Sequence, residues 1–441
     1  MSEPHEPHEL AEHTYGDDGS DSVRYPRTKP PATVRFWAIP ILLTLAVTSA
    51  LAAFCLGGIL QPMTNLRHFP IAVLNEDAGP TGAQVLKGML AGFDHDAYDV
   101  RVLTHDQAKT QMDTAQVYGV AVIPPNFSSK LQAYAKSALT PGRVERAVIV
   151  VSTNPRAGTL GANIAGQTLQ RAVAAIDQRV GQRLSQEVAE QTGKAPEPGA
   201  VALMLANPVE VKSTVHNALP NGTGNGLSAF YYSLLLVLAG FIASIVVSRS
   251  VDTTHPERSA VSPLRILFIK WAMVAALALL TSAAYLLIAM QFGMPIQNSL
   301  TLWLFGVLAI TAVGVGSTSL IVAFGPVGTL VSLFAFVILG LPSAGATVPL
   351  QATPALFEWQ AKFEPMHQVF MGARSLLYLG GQAGSGLVQS LEWVTLDLMI
   401  GLLIGVAATR IHDRRGARRE PATKPVVATV DPSGGVPYPG R

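Results

Sequence analysis

The sequence predicts an α-helical membrane protein with six transmembrane helices and one α/β domain between the first and second helices. Composition is the first reason: of the 441 residues, 49% are hydrophobic and 14% are charged, whereas about a quarter of an average soluble domain is charged. The second reason is a set of six apolar segments separated by charge, glycine or proline. Each is long enough to cross the hydrocarbon core of a bilayer, which is about 30 Å thick.

The two ends of the chain, residues 1–34 and 411–441, are poor in large apolar side chains. Such segments cannot offset the entropy cost of ordering, so we expect a disordered tail at each end, the second one basic. His5, His8 and His13 could form a metal-binding cluster. Solvated residues of a disordered leader are the preferred interpretation, because the sequence indicates no partners that would orient the imidazoles.

The first transmembrane helix is predicted within residues 35–61, because residues 36–60 carry no charge. As a helix they would be about 37 Å long at 1.5 Å per residue, enough to cross a bilayer. A cleaved signal peptide is the alternative. Its apolar core would be shorter and would begin nearer to Met1, so we expect this segment to anchor the chain.

Residues 62–226 are predicted to form the α/β domain, because strand patterns alternate with helix patterns. Short β-α-β spacing predicts a buried sheet with parallel neighbouring strands. Cys55 is the only cysteine and excludes a disulfide within the chain, but about 165 residues can bury about two-thirds of their unfolded surface without one. The expected strands are 69–75, 98–103, 118–123 and 146–151, and the expected helices are 85–90 and 106–116.

A long amphipathic helix is predicted in the later part of this domain. Its apolar residues recur mostly every three or four positions, at Leu160, Ile164, Val173, Ile176, Val180, Leu184 and Val188. The preferred interpretation is that this stripe packs on the domain's own sheet. Contact with a second copy or another partner is the alternative.

Five more transmembrane helices are predicted in the membrane domain, residues 227–410, at 227–248, 266–290, 301–323, 327–347 and 391–409. A tight turn at Gly325-Pro326 separates the fourth helix from the fifth. Basic residues precede the first helix, fill the loop 249–265 and follow the sixth helix. Because cytoplasmic loops are enriched in Lys and Arg, we expect a multi-pass plasma-membrane protein with both termini in the cytoplasm and the α/β domain outside.

Four short motifs occur in this framework: Pro70–Gly79 (PIAVLNEDAG), Tyr118–Ser128 (YGVAVIPPNFS), Leu341–Ala346 (LPSAGA) and Arg374–Tyr378 (RSLLY). Together with the arrangement of one span, a large outer domain and five spans, they resemble the ABC type-2 exporter permeases, and among these the YhgE/Pip (phage infection protein) branch, over roughly residues 35–410. Long members of that branch carry an extended coiled-coil outer region, which this chain lacks. The motif residues expected to be structural are Asn75, Asp77, Gly79, Pro124, Phe127, Pro342 and Gly345.

The resemblance implies a homodimeric permease subunit that works with a separate ABC ATPase and exports an amphipathic or cell-envelope compound. No G-x-x-x-x-G-K-[ST] motif occurs in the sequence, and residues 222–226 (GTGNG) are interpreted as a hinge rather than a phosphate-binding loop. The sequence contains no nucleophile elbow or H-E-x-x-H motif, so we expect no enzyme activity, cofactor or metal. A net charge of +2 does not indicate nucleic-acid binding.

Three residues are candidates for lining the transport pathway: Asp397, Glu364 and Arg374. Asp397 would lie about 9 Å along the last helix from its outer end, where a carboxylate is costly unless it has a function or a helix partner. Segment 348–390 has an interfacial pattern of aromatic and charged residues. The resemblance implies a re-entrant helix there from Glu364 to Leu377, after a break of the fifth span at Pro342 and Gly345.

On the cytoplasmic side, Lys270 is expected to extend its long side chain to the interface. The resemblance implies that loop 249–265 contacts the ATPase. The basic tail is the alternative contact, although attraction to anionic lipid explains its charge equally well.

Two alternative functions are also considered. The protein could be a membrane-anchored surface receptor or scaffold without transport, or a proton-coupled efflux protein. The second is less favoured, because a single carboxylate at Asp397 does not make a relay of titratable sites.

Overall fold

The computed structural model describes residues 34–137, 145–192, 205–254 and 262–416. Residues 1–33 of the predicted N-terminal tail, with its histidines, and the C-terminal tail beyond residue 416 lie outside these ranges. The chain divides into two compact units, Met1–Ser49 and Ala50–Arg441. Residues 34–49 are helical in the first unit. The second unit contains residues 50–59 of the same helix, the sheet and all other described helices.

The helices are α1 (Val34–Ile59), α2 (Pro80–Leu90), α3 (His105–Asp113), α4 (Phe127–Ser137), α5 (Thr159–Thr192), α6 (Ser228–Thr254), α7 (Pro263–Gln291), α8 (Ser299–Phe324), α9 (Pro326–Ser343), α10 (Ala355–Ala361), α11 (Pro365–Tyr378) and α12 (Leu387–Gly416). The strands are β1 (Phe69–Asn75), β2 (Tyr98–Val102), β3 (Gly119–Ile123), β4 (Ala147–Thr153) and β5 (Val209–Val215).

Within the described ranges, six helices are long and apolar enough to cross a membrane. They are Ile41–Ile59 of α1, the helices α6, α7, α8 and α9, and Leu387–Arg414 of α12. Their number and order confirm the prediction. Helix α12 continues to Gly416, into the segment predicted as a tail. Gly325 alone separates α8 from α9 with φ of +63°, a conformation that glycine adopts without strain, as the predicted turn requires.

The sheet has the strand order β2-β1-β3-β4-β5. β1 is parallel to β2 and β3, and β4 is parallel to β5, but β3 and β4 are antiparallel, with Gly119 opposite Thr153. The prediction of parallel neighbours is therefore wrong for this pair. A helix between two strands does not fix their relative direction. The connection from β3 to β4 is long enough for β4 to begin at the end of the sheet where β3 ends, which makes the two strands antiparallel.

Two elements of the sheet domain, meaning β1–β5 with α2–α5, are missing from the prediction. Strand β5 lies at the edge of the sheet and is largely exposed. Its sequence VEVKSTV alternates apolar and polar residues, with valine at 209, 211 and 215, a strand pattern that could have revealed it. Helix α4 also carries a signal that could have revealed it. Its buried residues Phe127, Leu131 and Tyr134 follow the i, i+4, i+7 spacing of one helix face.

Helix α5 packs on the sheet of its own domain. Its buried residues Ile164, Val173, Ile176, Leu184 and Val188 belong to one core cluster with strand residues such as Ile71, Val73, Ile123 and Ile149. The preferred interpretation of the apolar stripe is thus confirmed. On the opposite face of the sheet, Ala108 and Met112 of α3 cover Ala72, Leu74 and Val120.

Helix α8 is the centre of the helical bundle and contacts α6, α7, α9, α11 and α12. It approaches α6 closely at Gly240 and Gly314, where a Cβ atom added to Gly240 would lie 2.7 Å from the carbonyl oxygen of Ile310. Helix α9 contains a π-helical turn at Phe334–Ile338 and ends at Ser343, before the predicted end at residue 347. Gly345 then adopts φ of +69°, which confirms the predicted break.

Candidate functional site

Helix α11 lies in the interior of the protein, between α6, α8 and α12. It begins where the side chain of Glu364 accepts a hydrogen bond from the backbone N–H of His367 at 3.0 Å, and Pro365 occupies its first position. This is a favourable helix start, because proline has no N–H to leave unpaired there. The short helix α10 before it buries Phe357, whereas its Trp359 and the following Phe363 are exposed and pack edge to face.

Asp397 lines a cavity of about 110 Å³ between α8, α9, α11 and α12. The other lining residues are Ala312, Val313, Gly316, Leu320, Phe336, Pro365, Val369, Val394, Ile400, Gly401 and Ile404. Asp397 is therefore the only charged residue of the described chain in its wall. Its Oδ2 atom is buried and has no hydrogen-bond partner among the described residues. An unpaired buried carboxylate is costly, so this position calls for a cation or a proton.

Glu364 is only 3% exposed and lies outside the six spans. Its Oε2 atom accepts hydrogen bonds from the His367 N–H at 3.0 Å and from the Ser343 hydroxyl at 3.3 Å, whereas Oε1 is without a partner in the described ranges. Burial raises the pKa of Glu364 to about 8 against the opposing effect of these hydrogen bonds, and the negative charge of Asp397 contributes to the increase.

Arg374 does not join these two carboxyl groups. It lies ten positions after Glu364, or about 15 Å along the axis of α11. Its buried guanidinium donates from Nη1 to the carbonyl oxygen of Ala157 at 2.8 Å and lies 5.6 Å from the centroid of the Phe370 ring. Ala157 belongs to the turn before α5, so Arg374 connects α11 to the sheet domain.

Other arginines and one tyrosine complete this junction between the sheet domain and the bundle. Arg156 donates to the carbonyl oxygens of Tyr378, at 3.0 Å, and Ala218, at 3.2 Å. Arg67 donates to the carbonyl oxygen of Thr353 at 2.7 Å. The hydroxyl of Tyr378 lies 2.8 Å from the Ser228 hydroxyl and accepts from the N–H of Ala229 at 3.0 Å. Sequence reasoning missed Arg67 and Arg156, because no local pattern marks a partner so distant in the chain.

Replacing Arg374 by leucine is expected to lower the free energy of unfolding by about 2 kcal/mol, because a hydrogen bond to a charged donor is lost and the buried Ala157 carbonyl loses its partner. Thermal unfolding of the purified protein in detergent measures the change. Arg179→Leu is the control, because Arg179 is exposed on the outer side of α5. Equal effects of the two substitutions would show that the bond to Ala157 does not hold the junction together.

The first two sequence motifs meet around the carboxylate of Asp77. Its Oδ1 atom accepts from the N–H of Ser128 at 3.1 Å, and its Oδ2 atom accepts from the N–H of Gly82 at 3.2 Å and from the Ser128 hydroxyl. Asn75 bonds the backbone of Asp77 in return, with its side-chain oxygen 3.1 Å from the N–H. Asp77 therefore joins the first turns of α2 and α4.

The remaining motif residues also have structural positions. A Cβ atom added to Gly79 would overlap the side chain of Ser128. Phe127 is fully buried in the core, and its N–H donates to the carbonyl oxygen of Pro124 at 3.1 Å. Pro342 is buried near Gly58 of α1. A Cβ atom added to Gly58 would lie only 2.9 Å from the Cβ atom of Pro342.

A second cavity, of about 1310 Å³, lies among the ends of α6, α7, α8, α9 and α12 that are remote from the sheet domain. Lys270 lines it and is nearly fully buried, with Nζ 3.0 and 3.1 Å from the two carboxylate oxygens of Asp252. The lysine is thus paired within the protein rather than extended to the surface as expected. Part of the predicted ATPase-contacting loop, residues 255–261, lies outside the described ranges.

Residues 222–226, predicted to be a hinge, connect the sheet domain to α6. The hydroxyl of Thr159 donates to the carbonyl oxygen of Asn225 at 2.6 Å, and Thr223 is buried. Gly222, Gly224 and Gly226 all have positive φ, which favours glycine at these positions. The loop therefore has a defined turn structure attached to the start of α5.

Comparison with known proteins agrees with this architecture. A search of curated proteins finds no match. The family model described as ABC-2 family transporter protein matches residues 35–410, a range that contains the sheet domain, the cavity beside Asp397, most residues that line the large cavity and nearly the whole length of all six apolar helices. Because the match extends over most of the chain, the protein belongs to the ABC-2 family of transporter proteins.

Proposed function

We propose that the protein is the membrane subunit of an exporter that moves an amphipathic or cell-envelope compound out of the cell, driven by a separate ATPase. The large cavity at the bundle end carries this proposal, because it provides an opening of about 1310 Å³ among five of the six apolar helices. Members of the ABC-2 family typically work with an ATPase in a membrane. The sequence itself contains no phosphate-binding motif that would supply the nucleotide site.

The orientation follows from charge. Arg249, Arg265, Arg410 and Arg414 are all exposed at the bundle end that holds the large cavity. Since basic residues remain on the cytoplasmic side, this end would face the cytoplasm and the sheet domain would lie outside a plasma membrane, with both termini inside. The large cavity is then open to the ATPase side.

Three finer features belong to the same proposal. The chain would act as a homodimer of the YhgE/Pip-like branch, without catalytic activity of its own and without nucleic acid or a cofactor. Helix α11 would be a re-entrant helix that closes the outer end of the pathway. This is supported by its burial between spans and by the fact that the sheet domain holds it through Arg374.

The test is purification of the tagged full-length protein from its native membranes. We expect an ATPase subunit to co-purify and the reconstituted complex to accumulate a fluorescent amphiphile in vesicles several-fold above background with ATP. A non-hydrolysable ATP analogue and vesicles without protein are the controls.

Two outcomes would contradict this proposal. A chain that purifies without an ATPase and binds an extracellular ligand would favour the receptor or scaffold. Accumulation driven by a proton gradient without ATP would favour proton-coupled efflux, for which the buried carboxyl oxygens of Glu364 and Asp397, unpartnered among the described residues, are the specific observation.

A further inference from the structure

The cavity beside Asp397 has the dimensions and chemistry of a small binding site. Its volume of about 110 Å³ approaches the roughly 150 Å³ of an apolar protein cavity that binds benzene. Apolar side chains and glycines from four elements form its wall, and Asp397 supplies the single charge within the described residues. A ligand that fits must be compact and mainly apolar, yet it must complement a carboxylate.

The charges around the cavity are unbalanced. Asp397 Oδ2 and Glu364 Oε1 are both buried without a hydrogen-bond partner, and neither residue forms an ion pair with any described side chain. Helices α8 and α9 contain no charged residue. Buried charges in proteins are paired, so the carboxylate of Asp397 attracts a cation.

No nearby group among the described residues supplies that cation. On α11, Arg374 is bonded to the carbonyl oxygen of Ala157, and Nδ1 of His367 lies 2.9 Å from the carbonyl oxygen of Ala344. On α7, the ammonium of Lys270 is bonded to Asp252. The remaining basic residue of α7, Arg265, is exposed near the other end of the bundle. The described part of the chain therefore leaves the positive charge to a ligand.

The cavity is also placed for entry from lipid. Two of its lining residues on α12, Ile400 and Ile404, are 45% and 38% exposed, so this side of the cavity lies at the periphery of the bundle. In a membrane such apolar positions face hydrocarbon chains. A ligand that arrives by this route must carry an apolar tail.

We propose that the cavity beside Asp397 binds the cationic head group of a lipid-soluble ammonium compound, with Asp397 as its counter-charge. The inference rests on the proposed export function, because such amphiphilic cations would be the cargo.

The test uses the full-length protein in nanodiscs of neutral phospholipid, with dodecyltrimethylammonium as the probe. We expect saturable binding above that of empty nanodiscs, and at least tenfold weaker binding to Asp397→Asn, which keeps the size of the side chain. Asp397→Glu, which keeps the charge, should retain binding. The matched control is Glu392→Gln, because Glu392 is an exposed carboxylate on the same helix and its loss should leave the affinity unchanged.

Two further ligands separate charge from hydrophobicity. The uncharged analogue with a carbon in place of the quaternary nitrogen and the anion dodecyl sulfate should both bind at least tenfold more weakly than the ammonium compound. Equal binding of the three ligands, or equal binding to wild type and Asp397→Asn, would overturn the inference. Melting temperatures of all variants verify that they are folded.

The measurement needs neither ATP nor an ATPase. If no saturable ammonium binding is found, the inferred cation site is wrong, and the purification experiment still tests the export function separately. If binding is found but no ATPase co-purifies, the cation site stands and the proposed function fails.

Discussion

Replacing Asp77 by alanine is expected to lower the free energy of unfolding of the sheet domain by about 3–5 kcal/mol, because each buried donor left without a partner costs about 1–3 kcal/mol. The donors are the N–H groups of Gly82 and Ser128 and the Ser128 hydroxyl, and Asp77 itself is only 7% exposed. The carboxylate also lies at the first turns of α2 and α4, where negative charge is favourable. Its loss would loosen both helices together.

Hydrogen exchange of the full-length protein measures this effect locally, through peptides from α2, α4, β1 and β3. Glu76→Ala is the control, because the side chain of the neighbouring Glu76 contacts the exposed His105 at 2.7 Å, and surface ion pairs contribute about 0–1 kcal/mol. Asp77→Asn should fall between the two, because it keeps the shape but loses the charge. If exchange increases equally in the Asp77→Ala and Glu76→Ala variants, the carboxylate does not join the two helices.

Replacing Gly240 by leucine is expected to destabilise the helical bundle by about 3 kcal/mol, at the upper end of the usual cost of overpacking. A Cβ atom there would lie 2.7 Å from the carbonyl oxygen of Ile310 and 3.0 Å from the backbone nitrogen of Gly314. Both obstacles are backbone atoms, which cannot rotate away as a side chain can. Helices α6 and α8 would have to separate along the contact that small residues permit in membrane proteins.

Melting temperature and the fraction of monodisperse protein on size-exclusion chromatography in detergent report the separation. Gly57→Leu on α1 is the matched control, because a Cβ atom at Gly57 would have no other atom within 4 Å in the described structure. We expect the control to behave as wild type. A Gly240→Leu protein as stable as the control would mean that the close approach of α6 and α8 is not required.

The six long helices were predictable because each depends on a local feature of the sequence, an apolar segment bounded by charge, glycine or proline. Two strands were equally predictable, since Phe69–Asn75 and Gly119–Ile123 are short apolar runs that end at turn residues. The antiparallel pairing of β4 with β3 was not, because strand direction depends on where a connection ends in space. The exposed edge strand β5 was missed although Val209, Val211 and Val215 alternate with polar residues.

The candidate site was predictable only in part. The depth of Asp397 in an apolar helix singled it out, and its position on a cavity wall required the fold. Glu364 and Arg374 lie on one predicted segment, yet they lie toward opposite ends of α11. Glu364 is at the end near Asp397, and Arg374 is bonded to Ala157. Arg67 and Arg156 act on residues far away in the chain, at Thr353 and Tyr378. Such long-range pairs leave no trace in the spacing of a single sequence.

The three arginines of the junction share one property: each donates to main-chain carbonyl oxygens, at Thr353, Tyr378, Ala218 and Ala157. Every amino acid carries such a carbonyl, so the accepting positions can exchange their side chains during evolution without losing the bond. Selection at this contact therefore acts mainly on the donors. The bundle can diversify its surface toward new cargo while it remains attached to the same sheet domain.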